Sequence, residues 1–149
     1  NADGTGYTQF EDCKSEETGK ICHVGQCINL CQANAKFTTN LGCEYWPVDL
    51  LQPPAQTDDN GNVMDPANAP FAVVVGNTSK TVTAKVTVYR DGNKFKDVTA
   101  LPGKATIINL PPYNVEASML GKKAWRIVSN LPVVAYQFNP LENVDVFSN

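Results

Sequence analysis

All five cysteines of this chain, Cys13, Cys22, Cys27, Cys31 and Cys43, fall in its first third, and the remaining 106 of its 149 residues contain none. A stretch of about 40 residues cannot bury enough apolar surface to hold itself folded. The cluster therefore reads as a disulfide framework made in an oxidising compartment, which places the chain outside the cell or on its surface. Four paired cysteines allow three connectivities, and spacing does not choose among them. The fifth is a free thiol or the anchor of a bridge to another chain. Cys43 stands apart by position, at the head of Gly42-Cys43-Glu44-Tyr45-Trp46.

Zinc is the rival use of the same atoms, with Cys22, His23, Cys27 and Cys31 as thiolate and imidazole donors. Their intervals match no paired C-x2-C knuckle, and His23 lies directly beside Cys22, where both side chains rarely reach one ion. Disulfides are the expectation; a metal or other cofactor is not.

Behind the cysteines the pattern turns to short β-rich runs. In Val82-Thr83-Ala84-Lys85-Val86-Thr87-Val88-Tyr89 the apolar positions share one face, and Thr83, Lys85, Thr87 and Tyr89 share the other. Runs of this kind are expected at 71–77, 81–90, 94–101, 105–110, 124–129 and 133–138, with a last one at 144–147. Asp91-Gly92 marks a tight hairpin, because such a turn needs positive φ. Pro102-Gly103 and Asn130-Leu131-Pro132 mark two further turns. Strands at this spacing predict an all-β antiparallel sandwich of about seven strands, with an irregular disulfide-bonded N-terminal segment packed on it. Three regions are expected: a cysteine-rich segment over 1–50, a loop over 51–70 and the sandwich over 71–149. In the first, residues 25–35 have room for a helical turn or two. In the second, Pro53-Pro54, Asn60-Gly61, Pro66 and Pro70 argue against regular structure. Residues 114–123 leave room for a short helix or a wide loop.

Composition narrows the partners. Apolar residues are 42% and charged residues 18% of the chain, as in a globular domain. A net charge of −3 with scattered lysines and arginines excludes a phosphate-binding face, so nucleic acid is not an expected partner. The longest apolar run, Phe71 to Val75, is strand length, far below the roughly 20 residues of a membrane span. The chain opens on Asn1 with no signal-like stretch, as a processed secreted protein would.

Four blocks together resemble a known family. They are Gly42-Cys43-Glu44-Tyr45-Trp46-Pro47-Val48-Asp49-Leu50; Phe71-Ala72-Val73-Val74-Val75-Gly76-Asn77 followed by Val86-Thr87-Val88; Leu110-Pro111-Pro112; and Ala124-Trp125-Arg126-Ile127 leading into Pro132 through Pro140. The chain is similar in them to the IgGFc-binding-type N-terminal domain, in particular its bacterial secreted and surface relatives with a cysteine-rich leader. The resemblance covers about 110 residues, from Gly42 onward. It implies a β-sandwich in an extracellular setting and brings no catalytic residues. Members of the family usually continue past the position of Asn149, so either more chain follows or the missing half comes from another molecule.

Candidate chemistry is sparse. His23, the sole histidine, has no Gly-x-Ser-x-Gly elbow to serve and reads as a loop histidine. The carboxylate pairs Glu11-Asp12, Glu16-Glu17 and Asp58-Asp59 lie in polar loops, where solvent keeps them ordinary. Asp58, Asn60, Asn62 and Asp65 offer oxygen ligands for a loose Ca²⁺ site, but Val63 and Ala69 stand where a 12-residue calcium loop requires Gly and Glu. Asn77-Thr78-Ser79 is a glycosylation sequon. Tyr45, Trp46, Tyr113 and Trp125 suit either a core or a sugar-binding platform. Trp125 is expected as a sandwich plug, and Tyr45-Trp46 as the tie between the cysteine segment and the sandwich. The function expected is a non-enzymatic protein-binding or adhesion module of a cell-surface protein, with a glycan as a variant ligand. The alternative is a structural subunit that assembles with copies of itself into an extracellular filament by strand pairing or donation.

Overall fold

The computed structural model describes Cys13 and residues 19–141. The strand expected at 144–147 lies outside the described residues. Within them the chain is antiparallel β almost throughout.

Strands β1 (Lys20–His23) and β2 (Gln26–Asn29) form a hairpin. Val24 and Gly25, at φ of 50° and 74°, supply the paired positive values that a two-residue turn needs. Helix α1 (Leu30–Asn34) follows, capped by the Asn29 side chain, which accepts from Gln32 N. The helical turn expected over 25–35 is thus real only in its second half, since 26–29 is drawn into the hairpin. Strand β3 (Gly42–Tyr45) lies inside the cysteine-rich segment, yet it pairs with the sandwich itself. The loop over 51–70 holds a two-rung ladder of β4 (Gln56–Thr57) and β5 (Val63–Met64), then a 3-10 turn at Pro66–Asn68. The Asn-Gly turn expected to exclude regular structure here is what closes that ladder.

The sandwich proper comprises β6 (Phe71–Gly76), β7 (Ala84–Arg90), β8 (Asn93–Ala100), β9 (Ala105–Leu110) and β10 (Trp125–Phe138), in the order β8-β7-β10-β6-β9 with β3 also on β10. Asp91 and Gly92 turn β7 into β8 at φ of 51° and 80°. β10 overturns one expectation: 125–138 is one strand, not two separated by a turn at Asn130-Leu131-Pro132. Trp125 to Ser129 pair with β7, and Val134 to Phe138 pair with β6. The register on β3 shifts between Val128 and Val133, and Pro132 sits in that irregular stretch, where a missing N–H breaks no rung. The Asn130 side chain accepts from Lys85 N at 2.7 Å, standing in for the ladder where the strands part. β10 thereby passes from one sheet into the other and joins them.

Inward positions of both sheets make one core. Trp125, Phe71, Ile108, Ile127 and five valines are its largest fully buried side chains, and Trp125 meets Phe95 and Tyr113 edge-on. The edge strand β8 is blunted twice. Phe95 falls at a shift in its register on β7, and Lys96, opposite buried Val88, reaches across to donate to Asn109 O at 2.7 Å. An inward-pointing charge on an edge is a known guard against pairing with a second chain.

The disulfides are Cys13–Cys27 and Cys31–Cys43, and the free cysteine is Cys22, exposed on β1. Cys43 is therefore not the odd thiol: β3 brings it beside α1, where it closes on Cys31. A thiol reagent should titrate one group in the native chain and none after Cys22→Ser; a second native thiol would contradict this pairing.

Asn77 is 3% exposed at the end of β6. Its Nδ2 donates to Val82 O at 2.8 Å and Ala100 O at 2.9 Å, and its Oδ1 accepts from Ser79 N. The amide of the sequon is thus committed to joining two segments, and a glycan on it would replace one of its two N–H donors. The same bonds explain why β7 begins at Ala84 rather than Thr81: Val82 is tied by its N–H to Ser79 and by its carbonyl to Asn77. Asn77→Ala strands buried carbonyls and should lower stability by about 2 kcal/mol or more, read as a fall in the urea midpoint at unchanged slope.

Candidate binding groove

The outer face of the β8–β7–β10–β3 sheet carries the most organised surface chemistry in the described chain. Pleating alternates inward Trp125 and Ile127 with outward Arg126, and inward Val88 with outward Tyr89. Arg126 pairs across the ladder with Tyr89, which pairs in turn with Lys94. The ladder between β10 and β3 continues past Tyr45, for Trp125 N donates to Pro47 O at 3.0 Å, and this sets Trp46 opposite Arg126. One row therefore runs Lys94, Tyr89, Arg126, Trp46 over four strands. The Arg126 guanidinium lies 5.3 Å from the Tyr89 ring and 5.7 Å from the Trp46 ring, within cation–π range of both.

Glu44 locks the row. Its Oε1 accepts from Arg126 Nε at 2.9 Å. The Arg126 hydrogen bond, then its charge and the Trp46 N–H, hold the Glu44 carboxyl below the ordinary glutamate range against an opposing desolvation. Because the folded value is depressed, the pairing is present above the ordinary carboxyl value and is lost as pH falls through the depressed one. Trp46 fluorescence should therefore change in acid with a midpoint below that of an unpaired glutamate, and Arg126→Gln should move that step up toward the ordinary glutamate value. A midpoint at or above the ordinary value would contradict the pairing.

A groove of about 790 Å³ opens beside the row, lined by Glu44, Trp46, Tyr89 and Arg126 and walled by the Asp91-Gly92 turn and residues 121–124. Buried Asp49 fixes the approach to that wall: its carboxylate accepts from Tyr113 N at 2.7 Å, and its carbonyl from Val115 N at 2.8 Å. Asp91 is itself engaged, accepting from the Tyr113 hydroxyl, which raises the Tyr113 pKa.

The four candidate aromatics divide. Trp125 is a core plug, and its buried Nε1 has no hydrogen-bond partner among the described residues. Tyr45 is half-buried and ties β3 to β10 through a hydroxyl bond to Val133 O. Tyr113 packs on Trp125 under the Arg90 guanidinium, 4.1 Å away. Trp46 is 59% exposed and lines the groove, its ring 5.7 Å from the Arg126 guanidinium on β10. Tyr89, Arg126 and Glu44 escaped the sequence reading as site residues. Alternation had put Tyr89 on the outer face, but nothing local showed which strand lay beside it.

The other candidates stay apart. Asp58 accepts from Asn60 N, Asn62 N and Asn62 Nδ2, which lower its pKa, while Asp65 accepts from Asn68 Nδ2 in the next turn. Among the described residues no three His, Cys, Asp or Glu side chains gather as metal ligands would. His23 is exposed on the β1–β2 hairpin, Asp59 is exposed in its turn, and Glu11, Asp12, Glu16 and Glu17 lie outside the described residues. No helix among the described residues is long and apolar enough to cross a membrane. No protein-family model, curated protein or solved structure matches the chain.

Proposed function

We propose that the chain is an extracellular, non-enzymatic binding or adhesion module of a surface protein, and that it engages its ligand through the groove at Trp46. The observation that carries this reading is the Tyr89–Arg126–Trp46 row. Tryptophan, tyrosine and arginine are the residue types that dominate recognition energy, and here they are fixed in one geometry by the sheet beneath them. Two disulfides support an oxidising setting. A binding rather than hydrolytic role fits the Glu44 carboxyl, which is pushed down, whereas a general acid needs its pKa raised. An IgGFc-binding-type N-terminal domain remains the proposed family. The test is attachment of the immobilised chain to panels of extracellular proteins and glycans. Trp46→Ala should abolish attachment, Phe37→Ser in a separate groove should not, and the recovered ligand should have unchanged mass. Attachment indifferent to Trp46, or a ligand cleaved on contact, would overturn the reading.

One observation favours a second role as a subunit that assembles with copies of itself. The outer face of the β10–β6–β9 sheet is apolar in successive rows, Tyr136–Val74–Ile107 and Val134–Gly76–Ala105, with Tyr136 and Ile107 more than half exposed. Copies would meet there face to face, since Lys96 discourages strand pairing at β8. Light scattering decides this: concentration-dependent growth in mass that Ile107→Lys removes would support it, and a monomer at high concentration would end it.

A further inference from the structure

Resting on the binding-module reading, we infer that the Trp46 groove takes a neutral saccharide. Charge is the first argument. Four ionisable side chains other than tyrosine line the groove, two carboxylates (Glu44, Asp91) and two cations (Lys122, Arg126), so their formal charges cancel. Both carboxylates are also engaged: Glu44 with Arg126, Asp91 with the Tyr113 hydroxyl and, at 3.7 Å, with Arg90. An anionic ligand would meet Glu44 and Asp91 beside Arg126 and Lys122, and a cationic one would meet the same mixture, so neither finds a face of one sign.

Shape is the second argument. A pyranose has an apolar face of C–H groups and a rim of hydroxyls that both donate and accept. Trp46 offers the matching flat surface: its ring lies within cation–π range of the Arg126 guanidinium, 5.7 Å away, and 59% of the residue remains exposed. Around that ring stand acceptors on Glu44 and Asp91, donors on Lys122 and Arg126, and a second ring in Tyr89. Apolar walls with a few fixed polar groups, in a volume of about 300–1,000 Å³, describe a small-ligand cleft better than a flat protein interface. The strand that carries the ring is fixed on β10, so ordering of the backbone adds little cost to stacking.

The test is an array of neutral, sialylated and sulfated oligosaccharides, with hits followed by calorimetry on the intact chain. Neutral sugars should bind, and affinity should fall about tenfold or more with Trp46→Ala and much less with Trp46→Phe. Raising salt from about 0.1 M to about 1 M, which shortens the Debye length from about 10 Å to about 3 Å, should change it less than about twofold. Trp46 is exposed, so the variant should fold; unchanged near-ultraviolet circular dichroism from buried Trp125 checks this. Binding confined to anionic sugars, or to proteins, while still lost with Trp46→Ala would overturn the saccharide inference and leave the module reading intact. Sugar binding unaffected by Trp46→Ala would overturn the groove as its site. No binding to any neutral sugar would end the inference outright.

Discussion

Trp125→Ala should lower the unfolding free energy by about 3–5 kcal/mol, the largest single effect expected in this chain. The side chain is wholly buried where both sheets meet, with Phe95 at 5.0 Å and Tyr113 at 5.9 Å between ring centroids. Alanine leaves a cavity that these rings cannot refill without moving the β8 bulge or the Asp49-anchored loop. At this chain length each kcal/mol is worth about 2–4 °C, so the melting temperature should drop by about 6–20 °C. Trp125→Phe makes the mechanism specific. The indole Nε1 has no hydrogen-bond partner among the described residues, so phenylalanine removes volume without breaking any polar contact there. It should cost well under half as much as alanine. Equal losses for the two variants would show that something other than the cavity dominates.

The second large effect joins stability to function. Cys31→Ser with Cys43→Ser opens a bridge of 12 residues' separation and should cost about 2–4 kcal/mol. Position makes this bridge more consequential than a loop staple. It fastens α1 to β3, and β3 supplies Glu44 and leads directly into Trp46. Loosening β3 should release the Arg126–Glu44 pair, so the acid step in Trp46 fluorescence should move toward the ordinary glutamate value. The Cys13–Cys27 bridge closes on the β1–β2 hairpin, away from the groove residues, and Cys13→Ser with Cys27→Ser should leave that step in place. A pair of variants that disturb Trp46 equally would contradict the assignment of β3 to the sheet.

The sandwich was legible because its determinants are local. Alternation from Val82 to Tyr89, the Asp91-Gly92 turn and the apolar run from Phe71 each specify their element without reference to anything distant. What was not legible depended on partners far along the chain. Pro132 reads locally as a strand breaker, and only the change of partner from β7 to β6 makes it harmless inside β10. Cys43 looked isolated because its bonding partner is set by how β3 docks on β10, some 80 residues later. Asn77 reads as a sequon because sequence gives no hint that the carbonyls of Val82 and Ala100 converge on it. The groove failed to appear for the same reason. Trp46 was singled out early, but its exposure and its alignment with Arg126 and Tyr89 are properties of register.

The two indole N–H resonances offer the most direct measurement of whether that register makes a recognition surface. Titrating the folded chain with a neutral oligosaccharide identified on the array should move the Trp46 indole signal and the Arg126 Nε–H signal, and leave the Trp125 indole signal where it was. Shifts confined to other residues, with Trp46 and Arg126 unmoved at saturation, would contradict the groove as the working face of this protein.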